Sequence, residues 1–114
     1  DSMELSAADR KLIRGAIEAR DSRRFVITHG TDTMVETALA LEGLADRVVV
    51  LTGALSPARF QQSDAPINIG LAIAAAQTCS PGVYVAMNGR IFSPRGLRKN
   101  RERNRFELLP GQGS

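Results

Sequence analysis

Three short apolar runs punctuate the chain: Phe25-Val-Ile-Thr28, Val48-Val-Val-Leu51 and Val83-Tyr-Val-Ala-Met87. None alternates with polar residues, and each is too short for a helix, so all three read as buried strands. The segments between them carry helical spacing instead. Ser6-Ala-Ala-Asp9 resembles a capping box, and Leu12, Ile13, Ala16 and Ile17 follow on one face, which predicts a helix over 6–20 ended by Asp21-Ser22. Thr33-Met-Val-Glu36 is a second capping-box pattern and opens a helix over 34–44, with Gly43 near its end. A polar loop runs from Ser56 to Asp64, Pro66 suits a first helical turn, and Ile67 to Gln77 reads as an Ala-rich third helix. Ser80-Pro81-Gly82 ends it. Asn88-Gly89 is a hairpin turn signal that sends Arg90-Ile-Phe92 back beside the third strand.

Strands alternating with helices predict an α/β fold: an open parallel sheet with helices on both faces and a β-hairpin near the C-terminus. Residues 25–28, 48–52 and 83–87 should be adjacent parallel strands, because such strands need helical crossovers. In open sheets of this kind, ligands bind at the carboxyl ends of the strands. Two polar turns sit at that edge, His29 to Thr33 and Thr52 to Ala54.

With 114 residues, 43% hydrophobic and 24% charged, the chain suits one compact domain. Aromatics are 4% with no Trp, so aliphatic side chains must build the core. No apolar stretch approaches the ~20 residues that span a bilayer, so no membrane association is expected. No signal-peptide pattern is present. The single Cys79 excludes an internal disulfide and leads to an expected cytoplasmic location. The net charge of +3 is local: six of the fifteen basic residues lie between Arg95 and Arg105, against one acid, Glu102. Outside that run nine basic residues face eleven acids.

One turn holds more polar groups than a helix start requires. In His29-Gly-Thr-Asp-Thr33, the cap takes Thr33, which leaves Thr31 and Asp32 over at the ligand edge. Gly30 lets the backbone approach a bound molecule. A carboxylate beside a hydroxyl there suits holding an ammonium group or positioning a proton. Capping and periodicity leave a functional and a purely structural account of the pair equally open. His29 is expected to pack or hydrogen-bond beneath the loop, and no second His offers a metal pair; no metal or cofactor is called for.

"THGTDTMVETA" resembles a signature of the L-asparaginase family, the amidohydrolases that convert asparagine to aspartate and ammonia. "VVVLTGALSP", "SDAPINIGLAIAAA" and "GVYVAMNGRIFSPRGLRK" resemble further segments of the family, in order and at compatible spacing, and Asp1-Ser2-Met3 resembles its substrate-binding Asp-Ser. The resemblance covers nearly the whole chain. It implies an asparaginase N-terminal-like domain over 1–109, entered partway, with 110–114 a disordered tail. It also implies that Thr31, Asp32 and Lys99 form a proton-handling group. Ser2 would contact the substrate carboxylate, Asp32 the α-amino group and the Ala54 carbonyl the leaving amide nitrogen, while Gly30 shapes the pocket. L-asparagine is the implied substrate, a homo-oligomer the implied assembly. L-glutamine differs by one methylene, which a slot discriminates by only ~1–3 kcal/mol, so it stays within the reading.

The departure from the family is the attacking group. A threonine in a Thr-Gly-Gly-Thr strand is the family nucleophile, and no such tetrapeptide occurs in residues 1–114. The resemblance therefore also allows a non-catalytic member that binds an amino acid through Asp32 and Ser2. A third reading gives the Arg95–Arg105 run to nucleic-acid phosphates, although no aromatics interleave with it to stack on bases. Its structural counterpart is a solvated hairpin and loop carrying one buried lysine. The Gly-x-Gly-x-x-Gly and P-loop patterns of nucleotide binding are absent. Arg59, Gln61 and Gln62 are expected in a lid or subunit contact.

Overall fold

The computed structural model describes residues 6–44, 46–55 and 63–109. Their elements, in chain order, are α1 (Ala7–Glu18), β1 (Arg24–Thr28), α2 (Met34–Ala40), β2 (Val48–Thr52), α3 (Ala65–Thr78), β3 (Gly82–Met87), β4 (Arg90–Phe92), β5 (Leu97–Asn100) and β6 (Arg105–Leu108). Strands β1, β2 and β3 are adjacent and parallel, β4 returns antiparallel along β3, and β5 and β6 pair separately. The anticipated sheet and hairpin are both present.

The continuous apolar runs follow from coverage of both sheet faces. Val49 and Leu51 of β2 face one side with Val85 and Met87 of β3, against Met34 and Ala38 of α2 and its C-cap residue Leu41. Val48 and Val50 face the other side with Ala86, against Ala72, Ala75 and Ala76 of α3. Every residue of β2 is buried. The first run differs from expectation. Strand β1 alternates between exposed and half-buried positions, because Phe25 and Ile27 pack on the core while Arg24, Val26 and Thr28 on the opposite face stay exposed.

The helix starts show which polar patterns form as read. Ser6 caps α1 with its hydroxyl accepting from the Asp9 N–H, and the Asp9 carboxylate accepts from the Ser6 N–H, a complete capping box. The face assigned to this helix is mostly open: Ile17 is buried and Ile13 partly so, but Leu12 is 72% exposed and Ala16 exposed. Thr33 is the N-cap residue of α2 but makes no capping bond, and its hydroxyl oxygen is buried with no hydrogen-bond partner among the described residues. Helix α2 is also shorter than 34–44, with the chain leaving it through Gly43 at φ 90°.

Asn88 and Gly89 both adopt positive φ, 54° and 70°, which is what a two-residue hairpin turn between right-twisted strands demands. The Asn88 side chain then accepts from the Phe106 N–H at 2.7 Å, tying the β5–β6 hairpin to the main sheet. Residues 110–114, including the expected tail, and the loop bearing Arg59, Gln61 and Gln62 lie outside the described residues.

Candidate active site

Thr31 and Asp32 occupy the turn between β1 and α2, at the carboxyl edge of the sheet. Lys99 reaches them from β5. It pairs with Phe106 across the hairpin and stands two residues beyond buried Leu97, so the pleat turns its stem inward. Its ammonium group donates to the Thr31 hydroxyl at 2.7 Å and to Asp32 Oδ1 at 2.7 Å. The lysine side chain is 16% exposed while that of Asp32 is 58% exposed, so the cation is covered and its counter-charge faces outward. Arg101, in the β5–β6 turn, adds a second cation 3.6 Å from the same Oδ1. The Lys99 hydrogen bond, then its charge, hold the Asp32 carboxyl below its ordinary range, and Arg101 acts in the same direction. Thr31, Asp32 and Lys99, expected to converge, do so.

The other expected site residues fall in three classes. Gly30 precedes Thr31, and its carbonyl faces His29 Nδ1 at 2.7 Å. Ala54 lies just beyond β2. Gly53 brings that strand end against the Thr31 turn: the His29 N–H donates to the Thr52 carbonyl, and a Cβ on Gly53 would collide with the His29 carbonyl oxygen. Ser2 lies outside the described residues. A cleft of about 380 Å³ opens between α2 and β5, with Thr31, Asp32 and Lys99 on one wall and Val35, Leu39 and Leu97 on another.

Two supporting residues escaped the sequence reading. His29 Nε2 lies 2.9 Å from the Thr37 hydroxyl, which also accepts from Arg10 Nε at 3.1 Å. The Gly30 carbonyl can only accept, so Nδ1 carries the proton that faces it, and in a neutral ring Nε2 then accepts from the Thr37 hydroxyl. Histidine thus holds the turn from beneath, as anticipated, but Thr37 and Arg10 orient it. Met34, Thr37 and Ala38 of α2 and its C-cap residue Leu41 form a fully buried stripe, so a hydroxyl among apolar positions at helical spacing was the available signal for Thr37. Nothing in the sequence distinguished Arg10 or Arg101 from other surface arginines.

The basic run is largely consumed within the protein. Arg95 pairs with Glu42 at 3.2 Å, Arg98 with Glu107 at 2.8 Å, Arg105 with Glu107 at 3.6 Å, and Lys99 and Arg101 with Asp32. Five of the six cations therefore face carboxylates, which weakens the phosphate-binding account.

Residues 1–107 match the family model described as asparaginase, N-terminal. A probable periplasmic L-asparaginase of Haemophilus influenzae is 40% identical over 87 residues, which is 72% of this chain and 25% of that protein. A glutaminase-asparaginase of Acinetobacter glutaminasificans is 42% identical over 79 residues, covering 65% of this chain and 24% of that protein. L-asparaginase 2 of Escherichia coli is 41% identical over 80 residues, covering 66% of this chain and 23% of that protein. The chain spans a quarter or less of the length of these relatives. The periplasmic name of the Haemophilus relative overturns the cytoplasmic location expected from Cys79. A chain with one cysteine has no disulfide to make within itself, so that thiol does not report its redox compartment. By these matches the chain belongs to the asparaginase family, corresponding to its N-terminal domain.

Proposed function

We propose that residues 1–109 are an asparaginase N-terminal-like domain contributing the proton relay and amino-acid pocket for hydrolysis of L-asparagine. The observation that carries this reading is the convergence of Thr31, Asp32 and Lys99 within hydrogen-bond distance. Hydroxyl attack on an amide carbon requires the hydroxyl to lose its proton. The Thr31 oxygen can take such a proton as its own passes to the leaving nitrogen, while the Lys99 ammonium at 2.7 Å holds the charge on that oxygen. Asp32 holds the ammonium in place. Both of its cation contacts fall on Oδ1, so Oδ2 of this exposed carboxylate is offered to the substrate α-ammonium.

In the full reaction, the attacking oxygen forms an acyl ester as the amide C–N bond breaks. The leaving nitrogen takes a proton from the relay, and water then releases aspartate. Ser2 holds the substrate carboxylate, Gly30 shapes the pocket and the Ala54 carbonyl receives the leaving nitrogen. Residues 1–114 contain no Thr-Gly-Gly-Thr, so in this reading the attacking hydroxyl comes from such a segment outside them. Glutamine is the related substrate, and the name of the Acinetobacter relative supports testing it.

The experiment is ammonia release by a protein that joins this chain to a Thr-Gly-Gly-Thr segment. Asp32→Ala and Lys99→Met are expected to lower turnover by ~10³-fold or more with folding preserved. Unchanged turnover in both variants would locate the chemistry elsewhere. Loss of turnover in Lys99→Met with aspartate binding intact would favour the relay over a purely binding role. A homo-oligomer belongs to the same reading. Ile67 and Ile73, 69% and 47% exposed on α3, support it, and light scattering on the purified protein tests it.

A further inference from the structure

Ala54 sits between two peptide groups that are both held by side chains of the next helix. The Leu55 N–H donates to the Asp64 carboxylate, at 3.0 Å from each oxygen. On the other side of Ala54, the Gly53 carbonyl accepts from Asn68 Nδ2 at 2.9 Å. Asn68 Nδ2 also donates to Asp64 Oδ2 at 2.9 Å, so the two side chains brace one another. Asn68 is 1% exposed and stands one helical turn after Asp64, the N-cap residue of α3. Asp64 makes no capping bond to its own helix; its carboxylate is directed to the β2 loop instead.

The geometry has a directional consequence. The Leu55 N–H and the Ala54 carbonyl belong to one peptide plane, and a trans peptide points them in opposite directions. Anchoring the N–H on Asp64 therefore aims the Ala54 carbonyl away from Asp64, and anchoring the Gly53 carbonyl on Asn68 prevents the preceding plane from rotating to compensate. The Gly53 backbone also packs close to the first strand's end, since a Cβ there would meet the His29 carbonyl oxygen.

We propose that Asp64 and Asn68 are positioning residues that set the direction of the Ala54 carbonyl, and through it the discrimination between an amide and a carboxylate at the reacting end of the ligand. This rests on the reading above in which that carbonyl receives the amide nitrogen. An amide N–H donates to a correctly aimed carbonyl, whereas the carboxylate of aspartate has nothing to donate and is repelled. A clamp that only stabilised the fold would affect both ligands alike.

The test is calorimetric binding of asparagine and of aspartate to the 114-residue chain, its Asp64→Ala variant and its Asp64→Asn variant. Asp64→Ala is expected to weaken asparagine about three- to tenfold relative to aspartate, the worth of one neutral hydrogen bond, and Asp64→Asn, which keeps an acceptor for Leu55, to recover part of it. Equal losses for both ligands, or no loss, would overturn the clamp while leaving the binding site standing. A wild-type chain that binds neither ligand overturns the site and the clamp together. If Asp64→Ala does not fold, the Leu55 amide nitrogen shift decides in the unmutated chain. Asparagine should displace it through the hydrogen bond to the adjoining carbonyl and aspartate should not; the same displacement by both would refute the proposal.

Discussion

Lys99 Nζ lies 2.7 Å from Asp32 Oδ1, although sixty-seven positions separate them in the chain. The pairing makes Asp32 a reporter of the site. Its folded pKa is depressed below the ordinary 3.8, so it contributes stability above the unfolded pKa that is lost as pH falls through the folded one. Exposure keeps that contribution small. A carboxylate titration by NMR should place Asp32 below 3.8 in the wild type and return it toward 3.8 in Lys99→Met. An Asp32 midpoint that ignores Lys99→Met would mean that the two groups do not pair in solution.

Glu107 should behave similarly on the other face of the hairpin. The Arg98 hydrogen bond, then that from Asn100, depress its carboxyl below the ordinary 4.5. Acidification through and below that range should loosen β5–β6 before the main sheet. Hydrogen exchange measured at falling pH checks this, and simultaneous loss of both sheets would contradict it.

Gly53→Ala forces a methyl group onto the His29 carbonyl, and backbone cannot yield as a side-chain tip can. We expect a loss of about 1–3 kcal/mol in urea unfolding. A neutral result would show that the two strand-end loops are not in close contact.

Thr37→Val keeps the shape of a fully buried residue but removes the hydroxyl shared by Arg10 and His29. Leaving His29 Nε2 without its donor should cost about 1–3 kcal/mol, and Thr37→Ser should cost less. The His29 nitrogen shifts should report the Nδ1–H tautomer in both proteins, because the Gly30 carbonyl is retained; an Nε2–H ring in the wild type would contradict this hydrogen-bond direction.

Asn88→Ala removes both a residue tolerant of φ 54° and the acceptor for the Phe106 N–H. A loss of about 1–3 kcal/mol is expected, together with weaker protection of the Phe106 amide. Full protection of that amide in the variant would show that the turn does not anchor the hairpin.

The sheet was legible because its signals are local. An unbroken Val48-Val-Val-Leu51 run has one simple explanation, burial on both faces, and Asn88-Gly89 adopts the two positive φ angles that its hairpin needs. Resemblance added Lys99 as the partner of Asp32, which spacing could not supply. One local pattern misled: Thr33 stands at the start of α2 as read, yet its side chain makes no capping bond.

By itself, then, the sequence determined the order of strands and helices, the parallel sense of the first three strands and the edge where polar residues gather. These depend on hydrophobic period and turn chemistry, which act over a few residues. Tertiary structure alone decided which surface arginines join the site, how Thr37 reaches His29 and how Asp64 and Asn68 brace Ala54. Those choices depend on directed hydrogen bonds whose partners are brought within reach only when α1 packs on α2 and α3 lies against β2. Hydrogen bonds demand alignment within a fraction of an ångström, and no spacing along an unfolded chain encodes it.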